Sequence, residues 1–253
     1  MRLSAFLRPV IAACALLTAC ATPPPASDPE AQADFRQTND PLEPTNRLFY
    51  RVNDTLDTYI LAPVARGYVY VVPAPARTGV HNVLANITSP VLLANTILEG
   101  KPRRAGDTFM RFLINTTVGV GGIFDVAAGW GYPAEDADFG ITLALWGLSA
   151  GPFLFLPVVG PSGPRDAAGF AGDIVLDPFT WASFGGSKTL GYTRYGLGAV
   201  DARSRVLDQV SEIKRTALDP YATFRSLYRQ HRESQVRDVR EDNGTTVPAW
   251  FSR

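Results

Sequence analysis

Apolar residues recur along this chain at helical spacing, in short bursts separated by glycine and proline. Leu48, Phe49, Val52, Leu56, Tyr59 and Ile60 fall on one helical stripe, with Arg47, Arg51, Asp54 and Asp57 off it, the pattern of an amphipathic helix. Val80, Val83, Leu84 and Ile87 form a second stripe after Pro75, and Phe109, Phe112 and Leu113 mark a short helix over Asp107 to Thr117. Ser89-Pro90 has the form of a helix start with proline in the first turn, and Gly100 the form of a stop. Further on, Val206, Leu207, Val210 and Ile213 mark one helix, and Asp219-Pro220 opens another through Phe224, Leu227 and Tyr228. Neither strict two-residue alternation nor an internal repeat of roughly 20–50 residues is present, so the pattern predicts a mainly α domain.

The centre of the chain breaks this rhythm. Between Arg111 and Arg165 there is no lysine or arginine, and the run from Phe139 to Pro164 carries no charge over 26 residues. An uncharged run of that length ordinarily predicts a transmembrane helix. Here it holds five glycines (140, 147, 151, 160, 163) and four prolines (152, 157, 161, 164), which interrupt helical hydrogen bonding. Broken backbone is tolerated at membrane depth only beside protein or water. The run therefore predicts a re-entrant hairpin with Gly147 to Pro152 at its turn. The acidic residues just before it, Glu135, Asp136 and Asp138, read as a solvated turn at the apolar boundary.

The two ends have other characters. Arg2 and Arg8 precede the short apolar run Val10 to Leu17, which closes at Leu17-Thr18-Ala19-Cys20, too short to span a bilayer and shaped as a cleavable export signal. The tetrapeptide resembles a bacterial lipobox, so residues 1–19 are expected to be removed and Cys20 to be lipidated. Cys14 lies inside the signal, leaving Cys20 as the sole mature cysteine and no disulfide. Ala21 stands where an aspartate would retain a lipoprotein in the inner membrane, which directs the expectation to the outer one. Residues 20–38, rich in proline and alanine, read as a tether. Residues 201–242 hold nine basic and eight acidic side chains. Arg225, Arg229 and Arg232 fall along one side of the last helix, as a solvated face or as contacts to anionic headgroups or a partner.

The whole chain balances 24 basic against 24 acidic residues, which gives no general attraction to nucleic acid. Gly147-Leu148-Ser149-Ala150-Gly151 matches a nucleophile elbow by letter. That motif needs a strand before it, a helix after it and a histidine in the fold, whereas Pro152 to Pro157 is a poor helix. Thr117 to Gly122 lacks both the third glycine of a dinucleotide loop and a following Gly-Lys-Ser/Thr, so close packing or a bend explains its glycines. His81 and His231 are far apart in sequence, leaving too few ligands for zinc. No catalytic set, cofactor or metal is expected.

Denser motifs carry a resemblance. Asn39-Asp40-Pro41-Leu42-Glu43-Pro44-x-Asn46-Arg47, Pro63-Val64-Ala65-Arg66-Gly67-Tyr68, and Arg111-Phe112-x-x-Asn115-Thr116 with Gly119, Gly121-Gly122 and Asp125 resemble the MlaA (VacJ) lipoproteins. Asp138-Phe139-Gly140-x-Thr142-Leu143 to Trp146-Gly147, Gly151-Pro152-x-x-x-Leu156-Pro157, Gly160-Pro161-Ser162 and Arg165-Asp166 continue it in order. The resemblance implies an outer-membrane lipoprotein that removes phospholipid misplaced in the outer leaflet and passes it to a periplasmic lipid-binding carrier. It implies a ring-like bundle of short amphipathic and interfacial helices lying in the inner leaflet around a central channel, associated with a trimeric porin. Residues 39–230 correspond to that domain, with 231–253 as a charged helix end and tail. The family's hairpin loop beside the channel corresponds to Gly147, Leu148, Ser149, Ala150, Gly151 and Pro152, where the two glycines would let the loop shift.

Two other classes remain: a structural porin-bound lipoprotein that moves no lipid, and a lipid hydrolase using Ser149. Ser149→Ala separates the hydrolase from the transporter. Lipid removal by the variant, read as outer-leaflet phospholipid content, is expected to equal that of the wild type, and loss of removal with normal abundance would favour hydrolysis.

Overall fold

Proline starts most of the helices. The structure, a computed structural model, describes residue 25 and residues 27–29, 38–183 and 185–242. The expected signal peptide, Cys20 and nearly all of the tether lie outside the described residues, as do residues 243–253. Among the described residues, seven of eleven α-helices have proline in their first two positions. There the missing N–H is not needed and the fixed φ already suits a helix.

Helix α1 (Glu43–Leu56) passes through a π-turn over Asp57–Leu61 directly into α2 (Ala62–Val71). Helix α3 (Ala74–Leu98) is continuous through Ser89-Pro90, so the start expected there is not a start. Interior proline forfeits one backbone bond. Around it the Thr88 and Ser89 hydroxyls donate to the carbonyls of Leu84 and Ala85, at 2.9 and 3.2 Å, which keeps neighbouring carbonyls bonded. Helix α4 (Pro102–Thr117) begins a turn earlier than Asp107, and α5 is a single turn (Val126–Gly129). Helix α6 (Phe139–Leu145) leads through a loop into the antiparallel strands β1 (Leu154–Leu156) and β2 (Gly160–Ser162). They pair Leu154 with Ser162 and Leu156 with Gly160. Then follow α7 (Pro164–Leu176), α8 (Pro178–Trp181), α9 (Ser187–Arg205), α10 (Leu207–Thr216) and α11 (Pro220–Glu241). Helix α6 packs along α7, α3 along α4, α9 across α2 and α3, and α11 against α6 and β2.

The sorting of residues is inverted. Sixteen polar or charged residues are buried against thirteen hydrophobic ones, five of them alanine, while 32 large hydrophobic side chains lie exposed among the described residues. Monomeric proteins in water rarely expose apolar surface on that scale. Helix α1 shows the inversion residue by residue. Apart from half-buried Phe49 its apolar stripe faces out, with Leu48 50% exposed, and Asn46 on the opposite side is 2% exposed. The Asn46 amide donates to Asp40 (2.7 Å) and to the Phe153 carbonyl (3.0 Å), and its oxygen accepts from the Phe155 N–H (2.9 Å). Asn53 brackets the hairpin in the same manner, donating to the Leu156 carbonyl at 2.8 Å and accepting from the Val158 N–H at 2.7 Å.

Apolar packing is confined to two small clusters. Phe153, Phe155 and Tyr221 meet mostly edge to face and are flanked by Phe49, Tyr50 and Tyr228; Ile141 and Ala144 pack on Val236 and Val239. The acidic turn is only partly solvated: Asp136 is exposed, but Glu135 and Asp138 have structural partners. Glu135 pairs with Arg104 at 2.9 Å with both side chains 8% exposed, and Asp138 caps α6 by accepting from the Ile141 N–H. The glycines after α4 serve both expected purposes: Gly119 and Gly122 pack closely, against the Asn115 backbone and against Asn86, and Gly121 makes a left-handed bend (φ +68°) with open space around it.

Asn46→Ala leaves the Phe153 carbonyl and the Phe155 N–H buried without their partner, which costs about 2–4 kcal/mol. Leu48→Ala, on the exposed stripe, is expected to change stability by no more than about 0.5 kcal/mol. Unfolding of both variants in one nonionic detergent checks the contrast, and a larger loss in Leu48→Ala would refute the inverted sorting of α1.

Candidate functional site

Helix α3 separates two chemistries. Val80, Val83, Leu84 and Ile87, the expected stripe, line an apolar groove of about 380 Å³, closed opposite by Leu190 and Leu197 of α9 and by Ile123. Another side of the same helix turns His81, Asn82 and Asn86 into a polar cavity of about 210 Å³, shared with Arg111, Asn115 and Asp125. Burial alone would raise the Asp125 carboxyl. Hydrogen bonds from Arg111 (2.8 Å) and Asn115 (2.9 Å) outweigh it and hold the group below the usual carboxylate range. His81 Nδ1 lies 2.9 Å from the buried Asp201 carboxylate. One helix thus offers a surrounding for hydrocarbon on one side and for charged or hydrogen-bonding groups on another.

The expected loop lies between α6 and β1 and lines a separate cleft. Gly147 ends α6 in a left-handed conformation (φ +97°). Its N–H bonds the Ala144 carbonyl and the Leu148 N–H bonds that of Leu143, a Schellman stop that favours glycine. The far end is tied down. Asn39 donates to the Gly151 carbonyl at 2.9 Å and its own carbonyl accepts from the Phe153 N–H at 2.7 Å. A Cβ on Gly151 (φ +73°) would meet the Pro164 ring at 3.1 Å. Leu148, Ser149, Ala150, Gly151 and Pro152 together form one wall of a cleft of about 480 Å³; Gly147 stands outside it.

Helices α7 and α11 form the opposite wall. Arg232 joins them to α6: its guanidinium takes both Asp138 oxygens at 2.6 Å and one Asp166 oxygen at 3.1 Å. Asp166 also accepts from the Tyr228 hydroxyl (2.5 Å) and from Arg165. Burial works to raise Asp166, yet Tyr228 and Arg232 hold it below the usual carboxylate range, while burial and that same bond push the Tyr228 phenol up. The three aligned arginines are therefore no solvated face. Arg225 pairs with Asp40 at 2.7 Å, with its side chain 14% exposed. Arg229 donates to the Thr38 carbonyl at 2.8 Å.

Sequence reasoning assigned no role to Asp166, Tyr228 or Asn46. For Asp166 the signal was the Arg165-Asp166 pair standing at the end of the long uncharged run, and for Asn46 its place in the Asn39–Arg47 motif. It likewise missed Glu99, a buried carboxylate whose two oxygens lack hydrogen-bond partners and whose nearest cation, Arg104, is 4.0 Å away.

These features define a mainly helical protein with a charged, hydrogen-bonded interior and an exterior that exposes many large apolar side chains; no helix among the described residues is long and apolar enough to cross a membrane. The family model described as MlaA lipoprotein matches residues 38–235, and the chain belongs to that family. It is 38% identical over 204 residues to the intermembrane phospholipid transport system lipoprotein MlaA of Haemophilus influenzae, spanning 79% of this chain and 80% of that one. It is 33% identical over 205 residues to the protein of the same description from Escherichia coli K12, covering 79% of each. A solved structure described as the structural basis for maintenance of bacterial outer membrane lipid asymmetry superposes with a TM-score of 0.68 at 32% identity. The match covers 78% of this chain and 98% of that one.

Burial pushes the Glu99 carboxyl up to about 7 against the attraction of Arg104. A folded-state value above the unfolded one means the native state holds its proton more tightly. Stability contributed by this group is therefore full below about 4.5, falls as pH rises towards about 7, and is level above. Glu99→Gln is expected to abolish that fall and to be more stable than wild type at pH 8 by on the order of 2 kcal/mol, with little difference near pH 4.5. Melting curves at the two pH values check the sign, and a less stable variant at pH 8 would show that attraction to Arg104 outweighs burial.

Proposed function

We propose that this protein is an outer-membrane lipoprotein that removes mislocalised phospholipid from the outer leaflet and passes it to a periplasmic carrier, preserving lipid asymmetry. The physical task is to avoid water. Exposing the two acyl chains of a phospholipid uncovers about 30 methylenes at about 0.8 kcal/mol each, on the order of 20 kcal/mol. Its headgroup has the opposite requirement and needs a polar, wet passage.

The observation that carries this reading is the inverted sorting, with 32 large hydrophobics outward and a hydrogen-bonded interior. Such a domain is matched to acyl chains outside and to headgroups inside. The two-sided helix α3 supports it, because groove and polar cavity share one wall. The relatives named for phospholipid transport support it as well.

In this reading, acylated Cys20 and the tether hold the domain, residues 39–230, in the inner leaflet as a ring around a central channel. The Gly147–Pro152 loop lies beside the passage, and a trimeric porin and a periplasmic lipid carrier are its partners. The lipid is moved uncleaved: Ser149 lines its cleft without a histidine, which favours transport over hydrolysis.

Outer-leaflet phospholipid is expected to rise when the gene is deleted and to return to the parental level when it is restored, read by accessibility of phospholipid at the cell surface. Unchanged surface phospholipid in the deletion would overturn transport. Variants that keep porin co-purification but lose asymmetry would exclude a purely structural role.

A further inference from the structure

We propose that the cleft between the Leu148–Phe153 loop and α11 binds a phosphate-ester headgroup through Arg165, Arg229 and Arg240. The identity of the ligand as a phospholipid rests on the transport reading; the chemistry of the cleft stands on its own geometry.

Arg229, Arg232, Val236 and Arg240 recur at steps of three and four along α11 and so line the cleft as one stripe, with Arg237 beside it, and Arg165 joins them from α7. Their commitments differ. Arg232 is consumed by Asp138 and Asp166. Arg229 gives one bond to the Thr38 carbonyl and Arg240 one to the Ala144 carbonyl, at 2.8 and 2.9 Å, and neither has a carboxylate partner among the described residues. Arg165, with a side chain 7% exposed, spends its Nε and Nη2 donors on a single oxygen of Asp166. A guanidinium carries five N–H donors, so these three side chains keep most of theirs for a ligand.

Among the described residues no carboxylate pairs with Arg229 or Arg240, and the one that pairs with Arg165 is shared with Arg232. Asp166 is held by Arg165, Arg232 and Tyr228, while Glu233 and Glu241 are exposed at the rim. Forked donors on a planar cation favour phosphate and carboxylate oxygens. The facing wall is the apolar loop of Leu148, Ala150 and Pro152, which suits the glycerol end of an ester better than a free, fully hydrated ion. A volume of about 480 Å³ falls at the small-molecule end of binding sites, enough for a headgroup and not for a whole two-chain lipid.

The full mature chain in nonionic detergent is titrated with glycerophosphoglycerol, a tail-free diester, and with inorganic phosphate, following phosphorus NMR line broadening. The diester is expected to bind wild type better than inorganic phosphate does. R229A and R240A should each weaken it several-fold, and the pair together at least tenfold. R215A, removing an arginine whose side chain is 72% exposed and which does not line the cleft, should leave binding unchanged. Melting midpoints in the same detergent identify variants that lose binding without losing the fold. Equal diester binding by R229A/R240A and wild type overturns the proposal, and tighter binding of inorganic phosphate assigns the cleft to the free ion. Failure of this site leaves transport standing if deletion still raises surface phospholipid; an unchanged deletion strain with intact diester binding fails the transport reading instead.

Discussion

Arg232 holds three helices through one planar cation. Its bidentate grip on Asp138 fixes the N-terminus of α6, its third bond reaches Asp166 near the start of α7, and its own backbone belongs to α11. Ion pairs buried in this way gain little over a well-packed apolar substitute, because desolvation offsets the attraction. Their effect is on uniqueness: only one arrangement of the three helices satisfies both carboxylates, Tyr228 and the helix cap together. The loop from Leu148 to Pro152 is strung between α6 and the hairpin that precedes α7. Its position over α11 therefore follows from this junction more than from contacts of its own.

An interior built on such pairs changes what the exterior must do. In a protein that folds in water, apolar stripes drive assembly by leaving solvent. Here the stripe of α1 points outward while Asn46 and Asn53 hold the hairpin from within. Apolar burial within the chain is limited to two small clusters, so hydrogen bonds and ion pairs define the interior packing. Those interactions strengthen when water is scarce and the local dielectric falls. A fold of this type suits an apolar surrounding for the same reason that it exposes an apolar skin.

How much of this was legible in the sequence depends on the range of the interaction responsible. The helix start at Asp219-Pro220 is marked by adjacent residues, and α11 begins there with Asp219 as its cap. Ser89-Pro90 misled because local letters cannot show that a long helix packed against α4 tolerates one lost bond. The three-residue strands were invisible, since their partners Asn46 and Asn53 lie more than a hundred positions away. Periodicity correctly marked the stripe of α1 but is silent about the medium that the stripe faces. The same blindness applied to α11: spacing aligned Arg225, Arg229 and Arg232, while their partners Asp40, Thr38 and Asp138 come from distant segments.

The long uncharged run shows why composition and geometry must be read together. Its glycines and prolines exclude a straight span, and its ends are where the charges gather: Asp138 before Phe139, then Arg165 and Asp166 after Pro164. Folding brings those two ends to the same arginine, so an apolar segment is closed by an ionic clasp. Polar atoms of the segment are met by the Asn39, Asn46 and Asn53 side chains on one flank, by Asn95, Asp173 and the Leu98 carbonyl on another, and by the arginine-lined wall of α11. An amphiphile meeting this surface would find hydrocarbon contacts at Leu148 and guanidinium donors at Arg229 and Arg240 within one cleft, the two requirements that a phospholipid carries in one molecule.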